Sequence, residues 1–229
     1  MQLINYCQQK GIQLVVLGDL FDYWMEYPHH VPSLGYQLLN RFEQYHQNFG
    51  PTLYITGNHD NWTRGHFTER GFCVINESFN ITLSGQNLLL LHGDGLRDSQ
   101  YNLKRPWMHQ WLRKRFFIRW YQRILPPRLG IKVMKYFSRI NRWIDRGDDQ
   151  EKLNDWAEQQ LKNSDIDLII SGHDHHPRRK HFASGCYINL GTYFRHRTMA
   201  YYNNSSFKIV SWKPVIQKLQ PYDQPPLNE

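Results

Sequence analysis

The chain is poor in cysteine, in long apolar runs and in acidic residues. It has only three cysteines among 229 residues, Cys7, Cys73 and Cys186. They are odd in number, far apart and in no CxxC pair, which excludes a disulfide framework and a zinc–thiolate site. They read as free thiols of a reducing cytoplasm. No unbroken apolar run exceeds four residues, as in Leu88 to Leu91, against the ~18–20 that a membrane-spanning helix needs. Mean hydropathy is −0.69. Met1-Gln2-Leu3-Ile4-Asn5 shows no basic segment followed by an apolar one, so no secretory signal is expected there. Acidic residues number 20 against 28 Lys+Arg, a formal charge of +8. That balance points to an anionic partner: nucleic acid, a phosphorylated substrate or an acidic membrane surface. The composition rules out an integral helical membrane protein, a coiled coil and a wholly disordered chain. The length suffices for a self-supporting core.

What the chain has in quantity is aromatic and basic, and the two coincide. Aromatics are 15% of the residues, with 8 Trp and 14 Tyr. From Lys104 to Arg146 there are thirteen Lys+Arg and a single acidic residue, Asp145. The same stretch holds Trp107, Trp111, Trp120 and Trp143 with Phe116, Phe117, Tyr121, Tyr136 and Phe137. It reads as two helices, about 104–124 and 130–145, broken at Pro126-Pro127. A solvated helical pair, a surface for single-stranded nucleic acid and a lipid-facing cap are its three readings. The tail from 214 to 229 is rich in Pro and Gln and is expected to be disordered or loosely packed.

Elsewhere short apolar strands alternate with helices, and four strands end alike. Gln13–Leu17 runs into Gly18-Asp19, and Thr52–Thr56 into Gly57-Asn58-His59-Asp60. Asn87–Leu91 runs into His92-Gly93-Asp94, and Asp167–Ser171 into Gly172-His173-Asp174-His175. Glycine-closed β-branched and leucine runs are buried strands, and sites collect where strand ends give way to loops. Hairpins are expected at Lys180–Ala183 with Cys186–Asn189, and at Met199–Tyr202 with Phe207–Trp212. The strand-end side chains are carboxylates, an amide and imidazoles, with no thiolate. Such donors suit divalent ions such as Mn²⁺, Fe²⁺ or Zn²⁺. A strand-end carboxylate can bridge two ions about 3.5–4 Å apart, the arrangement of two-metal phosphoester hydrolysis.

In this order, the four strand ends resemble the calcineurin-like metallophosphoesterases, whose blocks run D-x-H, G-D-x-x-[D/E], G-N-[H/R]-D, a strand-end His and G-H-x-H. The resemblance covers about residues 10–195. Gly18-Asp19-Leu20-Phe21-Asp22-Tyr23-Trp24 and His92-Gly93-Asp94-Gly95 are most similar to the branch that cleaves UDP-2,3-diacylglucosamine in lipid A synthesis. The resemblance implies an α/β fold, a two-sheet sandwich flanked by helices, over residues 1–213. It also implies an inserted helical cap where the basic segment 104–146 lies. By the same resemblance Asp19 bridges two ions, of which manganese is favoured and iron or zinc is possible. Asn58, His92 and His173 complete one ion and His175 binds the other. His59 contacts the phosphate or protonates the leaving group, oriented by Asp60. Asp94 and Arg178 are candidate substrate contacts, and so is Asp98. Asn189, Gly191 and Tyr193 form a structural turn.

Three departures accompany the likeness. His59 stands where the lipid A branch often carries Arg, and Asp174 where the pattern usually has Thr. The D-x-H block is absent: no aspartate or histidine precedes Gly18. About 25–30 residues, one strand with its loop and helix start, are expected upstream, so that the start lies further forward or the chain is a fragment. One ion then keeps its full set and the other retains Asp19 and His175.

The implied substrate is UDP-2,3-diacylglucosamine, giving UMP and 2,3-diacylglucosamine 1-phosphate. The implied setting is the cytoplasmic face of the inner membrane of a Gram-negative-type bacterium, with 104–146 on the anionic surface and no nucleic-acid partner. A phosphodiesterase acting on nucleotides or nucleic acid, and a non-catalytic binding protein with an incomplete metal site, are the alternatives.

Overall fold

The runs of leucine and β-branched residues become strands wherever a glycine or a tight turn stops them. The structure is a computed structural model, and it describes residues 1–94, 96, 107–144, 149–203 and 205–222. The first half runs α1 (Gln2–Lys10), β1 (Val15–Leu17), α2 (Tyr36–Phe49), β2 (Thr52–Ile55), α3 (His66–Glu69), β3 (Phe72–Ile75), β4 (Ser78–Leu83) and β5 (Gln86–Leu91). The middle holds α4 (Trp107–Arg113), α5 (Arg115–Ile124), α6 (Pro127–Ile144) and α7 (Asp149–Lys162). The last part is β6 (Leu168–Ser171), β7 (Arg178–Phe182), β8 (Gly185–Asn189), α8 (Tyr193–His196), β9 (Thr198–Asn203), β10 (Ser206–Lys213) and β11 (Lys218–Pro221).

The α/β expectation holds, with three hydrogen-bonded ladders around one core. β1, β2 and β3 are parallel neighbours in that order, with Val16 opposite Tyr54 and Tyr54 opposite Val74. The five-stranded sheet has the order β4-β5-β6-β8-β7, parallel in its centre and antiparallel at both edges. The third ladder is antiparallel, β11-β10-β9. Ile55 of the first ladder, Leu88, Leu90, Ile170 and Ile188 of the second, and Ile209 of the third share one apolar cluster.

Leu89, Leu91 and Ile169 point the other way and meet Leu153, Trp156 and Leu161 of α7. A strand covered on both faces has no polar alternation to keep. That is why the run Leu88–Leu91 is unbroken. On the outer side of the first ladder, Ile4 and Cys7 of α1 and Leu39, Phe42 and Tyr45 of α2 bury Tyr54.

Two boundaries differ from those expected. The helix expected over 104–124 is interrupted at Lys114, which is extended (φ −66°, ψ 128°) between α4 and α5. The next helix begins at Pro127 and not near 130, because proline at the first helical position needs no N–H partner and already has a helical φ. The tail also departs from expectation: residues 218–221 are β11, with Leu219 opposite Trp212. A turn at 214–217, with Gln217 at φ 49°, folds these residues back onto the exposed edge of β10. Such an edge accepts any extended segment within reach.

The α4–α6 helices dock on loops, not on a sheet. Tyr121, Phe117, Leu125, Ile131 and Met134 pack on Met25, Tyr27 and Trp62. Those three body residues belong to the segments that leave β1 and β2. The two segments run side by side, with Trp24 N–H donating to the His59 carbonyl at 2.8 Å and Glu26 N–H to that of Trp62 at 3.0 Å. A polar set around the buried Glu26 and Gln122 fastens the joint. The Trp24 indole N–H donates to the Glu26 carboxylate at 2.8 Å, and Arg64 donates to the Gln122 side chain at 2.9 Å. The Gln122 amide in turn donates to the Glu26 carbonyl at 2.5 Å.

Candidate metal centre

The ends of β1, β2 and β5 are brought together by glycine. Gly18 has φ +80°, and a Cβ there would lie 2.6 Å from both the Gly57 nitrogen and His92 Nδ1. Only a residue without a side chain permits that approach. It sets Asp19 directly against the Gly57-Asn58-His59-Asp60 turn.

Two oxygens then approach His92 Nε2. Asp19 Oδ2 lies 3.3 Å from His92 Nε2, and His92 Nε2 lies 3.1 Å from Asn58 Oδ1. Donors placed around a small divalent ion at about 2.1 Å are about 3 Å from one another, so this spacing is that of neighbouring ligands. His92 Nδ1 donates its proton to the Leu17 carbonyl at 2.8 Å. That bond leaves Nε2 as the nitrogen aimed at Asp19 and Asn58, the arrangement that orients a ligating histidine. The His173 ring stands edge-on to His92 with centroids 5.2 Å apart. His175 is near enough to feel the charges of Asp19, His92 and His59.

The electrostatics favour positive charge at this point. Burial alone would keep His92 neutral, but the Asp19 carboxylate outweighs it and lifts the ring to about 9. Burial opposes ionisation of Asp19 as well, and the His92 and His59 rings hold its carboxyl below the ordinary range in spite of it. Burial, then the His92 charge, push His173 down to about 4, so it is a neutral donor. A carboxylate that draws a proton onto its neighbour will also draw a cation. Among the described residues no three His, Cys, Asp or Glu side chains close on one point by themselves. The set that fits a divalent ion is Asp19, Asn58 and His92, with His173 adjoining. Its mixed oxygen and imidazole chemistry matches the borderline ions.

Asp19, His173 and His175 all have positive φ (52°, 71° and 65°). Non-glycine residues in this region are strained by about 1–3 kcal/mol each, and such strain gathers at functional sites. The surrounding hydrogen bonds hold it. The buried Asn189 amide donates to the Gly172 carbonyl at 2.6 Å and receives the Gly191 N–H at 2.9 Å, the structural turn expected of that segment.

His59 sits beside the donors. Its Nε2 is 3.9 Å from Asp19 Oδ2, and its backbone N–H donates to Asp19 Oδ1 at 2.9 Å. Asp60 was expected to orient the His59 ring, and the structure gives its oxygens other partners. They accept the Gly57 N–H at 2.6 Å, the Leu20 N–H at 3.0 Å and the Tyr54 hydroxyl. Burial, then the Asp19 charge, raise Asp60 to about 6.

Two of the three candidate substrate contacts, Asp94 and Arg178, are engaged within the protein. Asp94 is 1% exposed, and Arg113 pairs with it at 2.8 Å. Arg178 is 5% exposed. It meets Asp174 at 2.6 Å, Asn154 at 2.8 Å and the His176 carbonyl at 3.0 Å. Asp98, and the parts of 104–146 at 104–106 and 145–146, lie outside the described residues. Sequence reasoning passed over Arg113, Glu26 and Gln122. None lies in a motif, and Arg113 is one cation among thirteen.

A model of the calcineurin-like phosphoesterase family matches residues 1–177. A UDP-2,3-diacylglucosamine hydrolase of Edwardsiella ictaluri is 30% identical over 201 residues, covering 83% of this chain and 75% of its own length. One of Vibrio parahaemolyticus is 27% identical over 208 residues, covering 86% and 83%. Among solved structures, the phosphoesterase YfcE of E. coli has 14% identity and a TM-score of 0.47, over 95% of this chain and 87% of its own.

Proposed function

This chain belongs to the calcineurin-like phosphoesterase family, and from that premise we propose that it hydrolyses the pyrophosphate of UDP-2,3-diacylglucosamine. The products are UMP and 2,3-diacylglucosamine 1-phosphate, an intermediate of lipid A synthesis. The observation that carries the reading is the approach of His92 Nε2 to both Asp19 Oδ2 at 3.3 Å and Asn58 Oδ1 at 3.1 Å, with His59 alongside. The hydrolases of E. ictaluri and V. parahaemolyticus support the substrate class.

Asp19, Asn58, His92 and His173 would hold one divalent ion, manganese by preference, and Asp19 and His175 a second. Bound ions would polarise the phosphoryl group and favour attack by water. The chain's own residues do the rest. The Leu17 carbonyl fixes the His92 tautomer. Asp60 holds the turn that presents Asn58 and His59. His59 Nε2 hands a proton to the departing phosphate oxygen as the bridging P–O bond breaks, a general-acid role. Asp94 and Arg178 support the loops that carry the donors.

The α4–α6 cap, with residues 1–213 as one functional unit, would meet the lipid. Phe116, Trp120 and Ile124 recur every four residues on α5 and are exposed, Phe116 to 76%. The exposed Arg115, Arg119 and Arg123 flank them. Such a face puts aromatics among acyl chains and guanidinium groups among anionic headgroups. Among the described residues no helix is long and apolar enough to cross a membrane. On this reading the enzyme works at the cytoplasmic face of the inner membrane.

The test is ³¹P NMR of UDP-2,3-diacylglucosamine incubated with the chain and Mn²⁺. UMP and the sugar 1-phosphate should appear together. An intact pyrophosphate beside an active control enzyme would refute the substrate.

A further inference from the structure

The cap reaches the donor floor at one point besides its apolar seat. Arg113 ends α4, and its side chain is 10% exposed. Its Nη2 donates to Asp94 Oδ2 at 2.8 Å and to the Gly57 carbonyl at 3.1 Å. Its Nη1 donates to the Asn76 carbonyl at 3.1 Å. Asn76 follows β3, Gly57 follows β2, and Asp94 lies just past β5. One guanidinium therefore clamps strand ends from two different ladders, β1–β3 and the five-stranded sheet.

The gripped groups adjoin the donors. Gly57 immediately precedes Asn58, and Asp94 is two residues beyond His92. Asn58 Oδ1 and His92 Nε2 are 3.1 Å apart across the same seam. Among the described residues no backbone ladder joins β2 to β5, so contacts made by side chains, such as these of Arg113, bridge the seam. A planar fork with several fixed donors suits that task, whereas an ammonium is a point charge on a flexible stem. Removing the guanidinium would leave the Asp94 carboxylate buried without this cation, and two carbonyls without these donors.

We infer that Arg113 is a positioning residue: it sets the Asn58–His92 spacing, and through it the affinity for a divalent ion, by clamping the two ladders from the cap. The inference rests on the reading of Asp19, Asn58 and His92 as ion-holding residues. It implies that the cap contributes to the geometry of the site as well as to what enters it.

The test uses Arg113→Met, which keeps the length and apolar stem, and Arg113→Lys, which keeps the charge. Hydrogen exchange is followed by mass spectrometry on the metal-free proteins, and Mn²⁺ affinity by calorimetry. In Arg113→Met, exchange over 52–62 and 86–96 should accelerate while α2 exchanges as in the wild type. Mn²⁺ should bind about tenfold more weakly or worse, the usual effect of losing a group that orients a ligand. Arg113→Lys should fall between the two. Unchanged exchange at both strand ends with Mn²⁺ affinity within about twofold of wild type would overturn the inference. So would acceleration spread evenly over the chain, α2 included, because that is loss of global stability. Should Arg113→Met fail to fold by circular dichroism, Arg113→Lys decides on the same two readouts. A wild-type chain that binds no Mn²⁺ refutes the ion-holding reading itself, and the exchange pattern still decides whether Arg113 clamps the seam.

Discussion

The strand-end floor and the α4–α6 cap solve opposite problems. The floor is built from backbone. Asp19, Asn58 and His92 sit on glycine-tight turns, and their neighbours are satisfied by carbonyls and amides at fixed distances. The cap is built from side chains. Its inner face is the apolar seat on Met25, Tyr27 and Trp62, and its outer face leaves Trp111, Phe116, Trp120 and Ile124 in solvent. A floor that must hold atoms to a few tenths of an ångström depends on strain and buried hydrogen bonds. A cap proposed to meet a lipid surface would depend on area and charge. The contrast teaches that substitutions in the floor should change chemistry or folding, and substitutions on the outer cap should change encounter with lipid.

The largest effect is expected in the floor. His59→Ala should lower kcat by about 10²–10⁴-fold, the range of a lost general acid, with Mn²⁺ binding retained. Steady-state UMP release with parallel calorimetry separates the two. Asp60→Ala comes next, and should act on folding. It strands two backbone N–H groups and the Tyr54 hydroxyl, at about 4 kcal/mol in total, read as a lower midpoint in urea.

On the cap, replacing Arg115, Arg119 and Arg123 together with Gln should weaken binding to anionic vesicles by about a hundredfold, at ~1 kcal/mol per basic residue. Sedimentation with vesicles measures it. If vesicle binding holds and catalysis falls instead, the division between the regions breaks.

The smallest effect lies far from both. The His46 ring bridges the Arg70 carbonyl and the Thr52 hydroxyl. Burial lowers its proton affinity from the ordinary 6.5. The unfolded chain therefore binds a proton that folded His46 resists, and stability falls as pH drops through 6.5. His46→Gln should flatten that fall slightly, seen by comparing urea midpoints at about pH 7.5 and 5.5.

The floor was the legible part in the sequence. Each glycine-closed strand became β1, β2, β5 or β6, because a short apolar run followed by a turn has few other folded outcomes. Asp19, Asn58 and His92 stood at the turns that end three of these strands. Less could be read where the cause is tertiary. β3 and β4 carry weak patterns and are set by their neighbours. β11 forms only because β10 offers an edge. Asp60 looked like a catalytic partner from its place beside His59, yet its carboxylate serves the turn. Arg178 looked like a phosphate ligand from its charge, and Asp174 occupies it instead. Arg113 could not be told from twelve other cations until the fold brought three acceptors to it.

The division between floor and cap is tested most directly by one ratio of rates. Hydrolysis of UDP-2,3-diacylglucosamine in anionic vesicles is compared with hydrolysis of bis-p-nitrophenyl phosphate in solution. The comparison is made for the wild type and for a chain carrying Phe116→Ser, Trp120→Ser and Ile124→Ser. The account predicts that the lipid rate falls in the variant while the soluble rate does not, so the ratio drops. An unchanged ratio, with both rates kept or both lost in step, would contradict it.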